Sequence, residues 1–137
     1  MYMEITQETD YAVRCILFLS KTGSKKPVVI ETIAAEMCIP GSFLAKILQK
    51  LTKAGIAKSF RGNKGGFQLS KGPRHISLLA VVEAIEGPIA MNRCTIHPER
   101  CNFSRTCPVH PVWTNLRKIV TEYLAAMDFE MMLKRPQ

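Results

Sequence analysis

The stretch IPGSFLAKILQKLTKAGIAKSFRGNKGGFQL, Ile39 to Leu69, decides the fold. Leu44, Ile47, Leu48 and Leu51 recur at helical spacing and form one apolar stripe. Ser42, Lys46, Gln49 and Lys53 fall on the opposite face. Pro40 suits the first turn of this helix, and Gly55 suits its C-terminal cap. Two short strand candidates follow, Ile56–Phe60 and Phe67–Ser70. Between them, Arg61-Gly62-Asn63-Lys64-Gly65-Gly66 supplies glycines for a turn and two cations at its tip.

Charge is concentrated on the same stretch. From Gly41 to His75 there are eight basic residues (Lys46, Lys50, Lys53, Lys58, Arg61, Lys64, Lys71 and Arg74) and no Asp or Glu. The whole chain of 137 residues has 19 Lys+Arg and 11 Asp+Glu, so its net charge of +8 resides in this quarter. A one-signed patch on a defined element is the footprint of a polyanion binder. A solvated basic face alone is the plainer alternative. A helix with small polar and basic residues outward suits a DNA major groove, and a basic hairpin after it can reach phosphates or an adjacent minor groove.

Outward from this centre, Thr6 to about Ser20 reads as a first helix with Ala12, Ile16 and Leu19 buried and Cys15 beside them as a small core residue. Gly23–Pro27 is a basic turn, and Val28–Ile30 is a short strand or a lead-in. Glu31–Met37 is a short helix. Cys38–Pro40 then makes the turn, with Cys38 packed, so that Glu31–Ala54 forms a helix-turn-helix and the hairpin its wing. Ser77 is an N-cap for a helix Leu78–Glu86 with a stripe at Leu79, Val82 and Ile85, stopped by Gly87-Pro88. Pro111 to about Leu133 reads as one long final helix. Its Leu116, Val120, Tyr123 and Met127 make a coiled-coil-like seam, widened by Ile119, Leu124 and Met131. The expected fold is mainly α with a small β-hairpin wing: a winged helix over 1–87, a cysteine loop over 88–110 and a dimerisation helix and tail over 111–137. A homodimer is the expected assembly, with folding back on its own domain as the alternative for the last helix.

The segment Arg93–His110 holds three cysteines within fourteen residues, with gaps of six and then five. It lacks any periodicity, so something must organise it. A disulfide would leave an odd thiol. A zinc site with Cys94, Cys101, Cys107 and His110 is chemically reasonable, although structural zinc favours tighter pairs. An iron–sulfur cluster, two-iron or four-iron, suits wider spacings because its ligands wrap a larger object. No nucleotide motif, no CxxC and no acid–base pair is present, which argues against an enzyme or a small-molecule substrate. No stretch approaches the roughly 18 apolar residues of a membrane span. Met1–Asp10 is polar and acidic, unlike a secretory signal, so the expected compartment is the cytoplasm.

Several motifs together resemble the IscR/NsrR family of bacterial winged-helix transcription regulators. They are Thr9-Asp10-Tyr11-Ala12-Val13-Arg14, Ile39-Pro40-x-x-Phe43-Leu44-x-Lys46-Ile47, Lys53-Ala54-Gly55-Ile56 and Arg61-Gly62-Asn63-Lys64-Gly65-Gly66-Phe67-x-Leu69, followed by the three cysteines and a long helix. The resemblance implies a homodimer that controls transcription, and the expected action is repression at a double-stranded DNA operator. It also implies an iron–sulfur cluster on Cys94, Cys101 and Cys107 that senses redox state, nitric oxide or iron–sulfur supply. In IscR-like members the fourth ligand is a histidine just after the third cysteine, here His110. In NsrR-like members it is an acid of the first helix reached from the other subunit, here Asp10. DNA contacts are expected from Ser42, Lys46, Gln49, Lys50, Arg61 and Lys64. A zinc-binding or metal-free regulator is the nearer alternative, and an iron–sulfur storage or delivery protein the more distant one.

Overall fold

The computed structural model describes residues 3–22, 26–63 and 65–135, built from helices and one antiparallel hairpin. The order is α1 (Gln7–Thr22), α2 (Ile30–Met37), α3 (Gly41–Lys53), β1 (Ala57–Phe60), β2 (Gly66–Leu69), α4 (Leu78–Glu86), α5 (His110–Ala126) and α6 (Phe129–Lys134). Most of the expected turn Gly23–Pro27, and Lys64 of the wing, lie outside the described residues.

The helix-turn-helix follows from its apolar stripe. Leu44, Ile47, Leu48 and Leu51 are fully buried against Ala12, Cys15 and Ile16 of α1 and Ile33 of α2. Gly55 ends α3 at φ +79°, and its N–H donates to the Thr52 carbonyl at 3.0 Å. Only a residue without a Cβ takes that conformation freely. Cys38 corrects one expectation. It ends α2 at φ 54° and ψ 47°, the left-handed region, and its side chain is exposed rather than packed.

The wing has the register Ala57↔Leu69, Lys58↔Gln68, Ser59↔Phe67 and Phe60↔Gly66. Val28 adds a third edge, exchanging both backbone hydrogen bonds with Phe67 at 2.8 Å. A Cβ on Gly66 would collide with the Val28 carbonyl, so the wing root requires glycine there. In α4 the Ser77 hydroxyl accepts from the Ala80 N–H at 3.0 Å, as its sequence position suggests. Val81 and Val82 are its buried residues, whereas Leu79 and Ile85 are only half-buried. The single stripe expected at Leu79, Val82 and Ile85 is therefore displaced, because α4 packs between α1 on one side and α5 on another.

The C-terminal region departs most from expectation. The helix predicted from Pro111 to Leu133 is two helices, broken at Met127, which is extended at φ −95° and ψ 112°. Asp128 restarts the chain as an N-cap, its carboxylate accepting from the Met131 N–H at 2.8 Å. The break is clipped to the segment before α4. Leu78 N–H donates to the Met127 carbonyl at 2.7 Å and Phe129 N–H to the Ile76 carbonyl at 3.2 Å. Phe129 is then fully buried in the winged-helix core, and α6 lies against α1 and the turn Pro73–His75. The tail folds back on its own domain, while α5 itself contributes no buried residue.

Candidate nucleic-acid interface and cysteine cavity

Two surfaces carry the chemistry. The first is the outward face of α3. Its buried stripe forces Ser42, Lys46, Gln49, Lys50 and Lys53 into solvent, and all five are exposed. Arg61 stands exposed at the wing, beyond the end of β1. Two contacts on this side escaped the sequence reading. Phe43 is 49% exposed and meets Tyr11 edge-on, with ring centroids 6.3 Å apart. Glu8, from the first turn of α1, accepts a hydrogen bond from Lys50 Nζ at 2.7 Å. Nothing in a linear pattern joins residues this far apart in sequence, although an acid in a first helical turn is itself favoured.

Arg14 links α1 to α2. Its Nη1 donates to the Met37 carbonyl at 3.1 Å and its Nη2 to Asp10 at 2.9 Å, and its guanidinium lies 5.3 Å from the Tyr11 ring centroid. Asp10, the alternative fourth ligand, is thus engaged with Arg14 and is not among the residues around the cysteines of its own chain. Cys15 sits in the core nearby. Burial pushes its thiol up to about 12, and it is neutral at ordinary pH.

The second surface is a cavity of about 290 Å³ between the 88–110 loop and the start of α5. Short 3-10 turns at Arg93–Thr95 and Pro98–Arg100 fold the loop round it. Cys94, Cys101, Cys107 and His110 all line it, so the four expected ligands are brought together within one chain. His110 Nδ1 lies 3.1 Å from Cys94 Sγ, the tautomer deciding which of the two donates. Sequence proximity suggested Cys107 as the neighbour of His110. The structure gives that pair only a backbone turn, His110 N–H to the Cys107 carbonyl at 3.2 Å. Arg93, Arg100 and Trp113 also line the cavity and were not anticipated. His97 lines it as well, with its Nδ1 3.2 Å from Glu99. Among the described residues no group of three or more His, Cys, Asp or Glu converges on a point that one ion would fill. Arg93 and Arg100 place two cationic groups in the wall of the same cavity.

A helix-turn-helix with a buried stripe, a basic outward helix face and a glycine-turned hairpin define a winged-helix regulator that binds DNA. Residues 5–135 match the Rrf2 family, described as an iron-dependent transcriptional regulator, and the chain belongs to that family. It is 34% identical over 106 residues to the HTH-type transcriptional regulator NsrR of Geobacillus kaustophilus, covering 77% of this chain and 72% of that one. It is 27% identical over 135 residues to the HTH-type transcriptional regulator IscR of Xenorhabdus nematophila, covering 98% of this chain and 82% of that one. The solved structure of CymR, the global cysteine regulator of B. subtilis, superposes with a TM-score of 0.80 over 99% of this chain and 100% of that one, at 23% identity. The protein is therefore a transcription regulator and not an enzyme. No helix among the described residues is long and apolar enough to cross a membrane.

Proposed function

We propose that this regulator works as a homodimer, that Cys94, Cys101, Cys107 and His110 hold an iron–sulfur cluster, and that the cluster's state sets DNA affinity. The observation that carries this reading is that all four residues line one cavity. A bound cluster supplies a centre that gains or loses electrons, or is lost altogether, as conditions change. The protein's own part is to hold and to transmit. His110 is both a wall of the cavity and the first residue of α5. Arg117, two turns on, donates from Nε to the Ile89 carbonyl at 2.6 Å, tying α5 to the segment leaving α4. Helix α4 packs on α1 and α3. A change at the cavity thus has a continuous packed route to the face that meets DNA. The dimer reading rests on α5, where Val112, Ile119 and Tyr123 are 58%, 57% and 59% exposed on one stripe with Leu116.

Anaerobic purification with an absorbance spectrum and iron and sulfide analysis tests the proposal. The expected result is a coloured protein with iron and sulfide in comparable amounts, bleached by Ala at Cys94, Cys101 or Cys107. A colourless protein holding zinc, or holding no metal, refutes it in favour of a zinc-binding or metal-free regulator. Reconstituted His110→Ala and Asp10→Ala decide the fourth ligand. If only Asp10→Ala loses the parent spectrum, the ligand comes from α1, reached from the other subunit.

A further inference from the structure

We infer that Glu8 is a specificity-determining residue: it holds Lys50 away from the DNA backbone and so lowers affinity for DNA of arbitrary sequence. The inference rests on the reading that the outward face of α3 meets DNA. The segment carrying that face is otherwise one-signed, with eight bases and no acid from Gly41 to His75. Glu8 brings a carboxylate onto it from a different helix. Its Oε1 accepts from Lys50 Nζ at 2.7 Å, and the two side chains are 34% and 43% exposed. The pair sits within a surface recess of about 430 Å³, walled by Glu8, Lys46, Gln49, Lys50 and Lys53. The carboxylate therefore stands among the cations that would meet phosphate, not on a remote surface.

Two consequences follow from that placement. A lysine ammonium is a point charge on a flexible stem, able to turn to any phosphate within reach. Phosphate contacts of this kind raise affinity without reading sequence. While Lys50 is turned to Glu8, the pair presents no net charge to the DNA, and no counterion is released on its account. Gln49, beside it, is of a type that reads adenine edges in a major groove. Glu8 thus removes a sequence-blind contact next to a sequence-reading one. An exposed ion pair of this kind favours its closed form by roughly 1.5- to 5-fold, so the effect is graded.

The test is a salt series on the full-length protein with a random-sequence duplex, comparing wild type, Glu8→Gln, Lys50→Ala and the double variant. If three to five phosphates are met per subunit, the wild-type dimer's log–log slope is on the order of −5 to −9. Glu8→Gln frees Lys50. It is expected to tighten binding roughly 2- to 25-fold, the per-subunit preference taken over two subunits. It is also expected to steepen the slope, by up to about 0.9 per subunit. Lys50→Ala is expected to flatten the slope by less than Glu8→Gln steepens it, and the double variant to match Lys50→Ala. A slope that flattens in Lys50→Ala by the full amount of about 0.9 per subunit, or one that stays put in Glu8→Gln, shows that Lys50 reaches phosphate regardless and overturns the inference alone. A flat wild-type slope overturns both it and the reading that α3 meets DNA.

Discussion

Replacing Phe129 by alanine separates the observed C-terminal arrangement from a continuous helix. In an unbroken helix with its seam at Leu116, Val120, Tyr123 and Met127, Phe129 falls off the seam and faces outward. Its loss would then resemble an ordinary surface change, within about 0.5 kcal/mol. In the structure Phe129 is 0% exposed and packed within the core shared by α1 and α3. Its N–H also closes the 3.2 Å hydrogen bond to Ile76. That backbone bond survives the substitution, so the loss is the ring and the space it leaves, about 3–5 kcal/mol for Phe→Ala in a core. Against a total of roughly 5–15 kcal/mol, this is a large share of the stability. For a chain of this size it lowers Tm by roughly 10–20 °C. Urea denaturation of the full-length apo protein, followed by circular dichroism, measures it. Phe129→Leu, which keeps most of the volume, should cost under about 1.5 kcal/mol. A Phe129→Ala loss below about 1 kcal/mol would refute the clipped tail.

Three further outcomes are expected. Leu116→Glu places a charge on the α5 stripe without touching the core, so sedimentation should show a folded monomer where wild type is a dimer, with association weakened on the order of 100-fold or more. Arg61→Ala should weaken DNA binding by roughly 1–3 kcal/mol if the wing enters a groove, and unchanged affinity for both specific and random duplexes would show the wing idle. Native alkylation of the apo protein followed by mass mapping should label the exposed Cys38 and Cys101 and spare Cys15. The Cys15 thiol is raised from 9.0 to about 12, so the folded chain keeps a proton that the unfolded chain loses, and stability falls as pH rises through that window. Labelling of Cys15 at the rate of Cys38 at pH 8 would contradict its burial.

The winged-helix half was legible because its rules are local. The α3 stripe, the Gly55 cap, the glycine-turned wing and the Ser77 cap are each set by residues within a few positions of one another. The break at Met127 was hidden although Asp128 is a recognisable cap. Leu124, Met127 and Met131 keep helical phase across the break, and the clip that fixes it comes from Ile76 and Leu78, some fifty positions earlier. In the cysteine loop the four residues that line one cavity could be singled out from sequence, but the loop's shape could not. Its turns form without periodicity, and the contact of His110 with Cys94 spans a separation of 16 residues. Glu8 and Lys50 were unreadable as a pair for the same reason.

The clip at Met127–Phe129 also bears on how the protein is made. The core that supports the DNA-binding face is filled by a side chain translated after everything it packs against. A ribosome that has finished α1 through α4 has produced the whole helix-turn-helix and wing, yet the slot for Phe129 stays open and Ile76 and Leu78 lack their backbone partners. Completion waits until the cysteine loop and α5 have emerged. A nascent or prematurely terminated chain therefore lacks the Phe129 packing and both backbone partners of the clip, and the DNA-binding body is fully packed only in molecules that already carry the cysteine loop and its cavity.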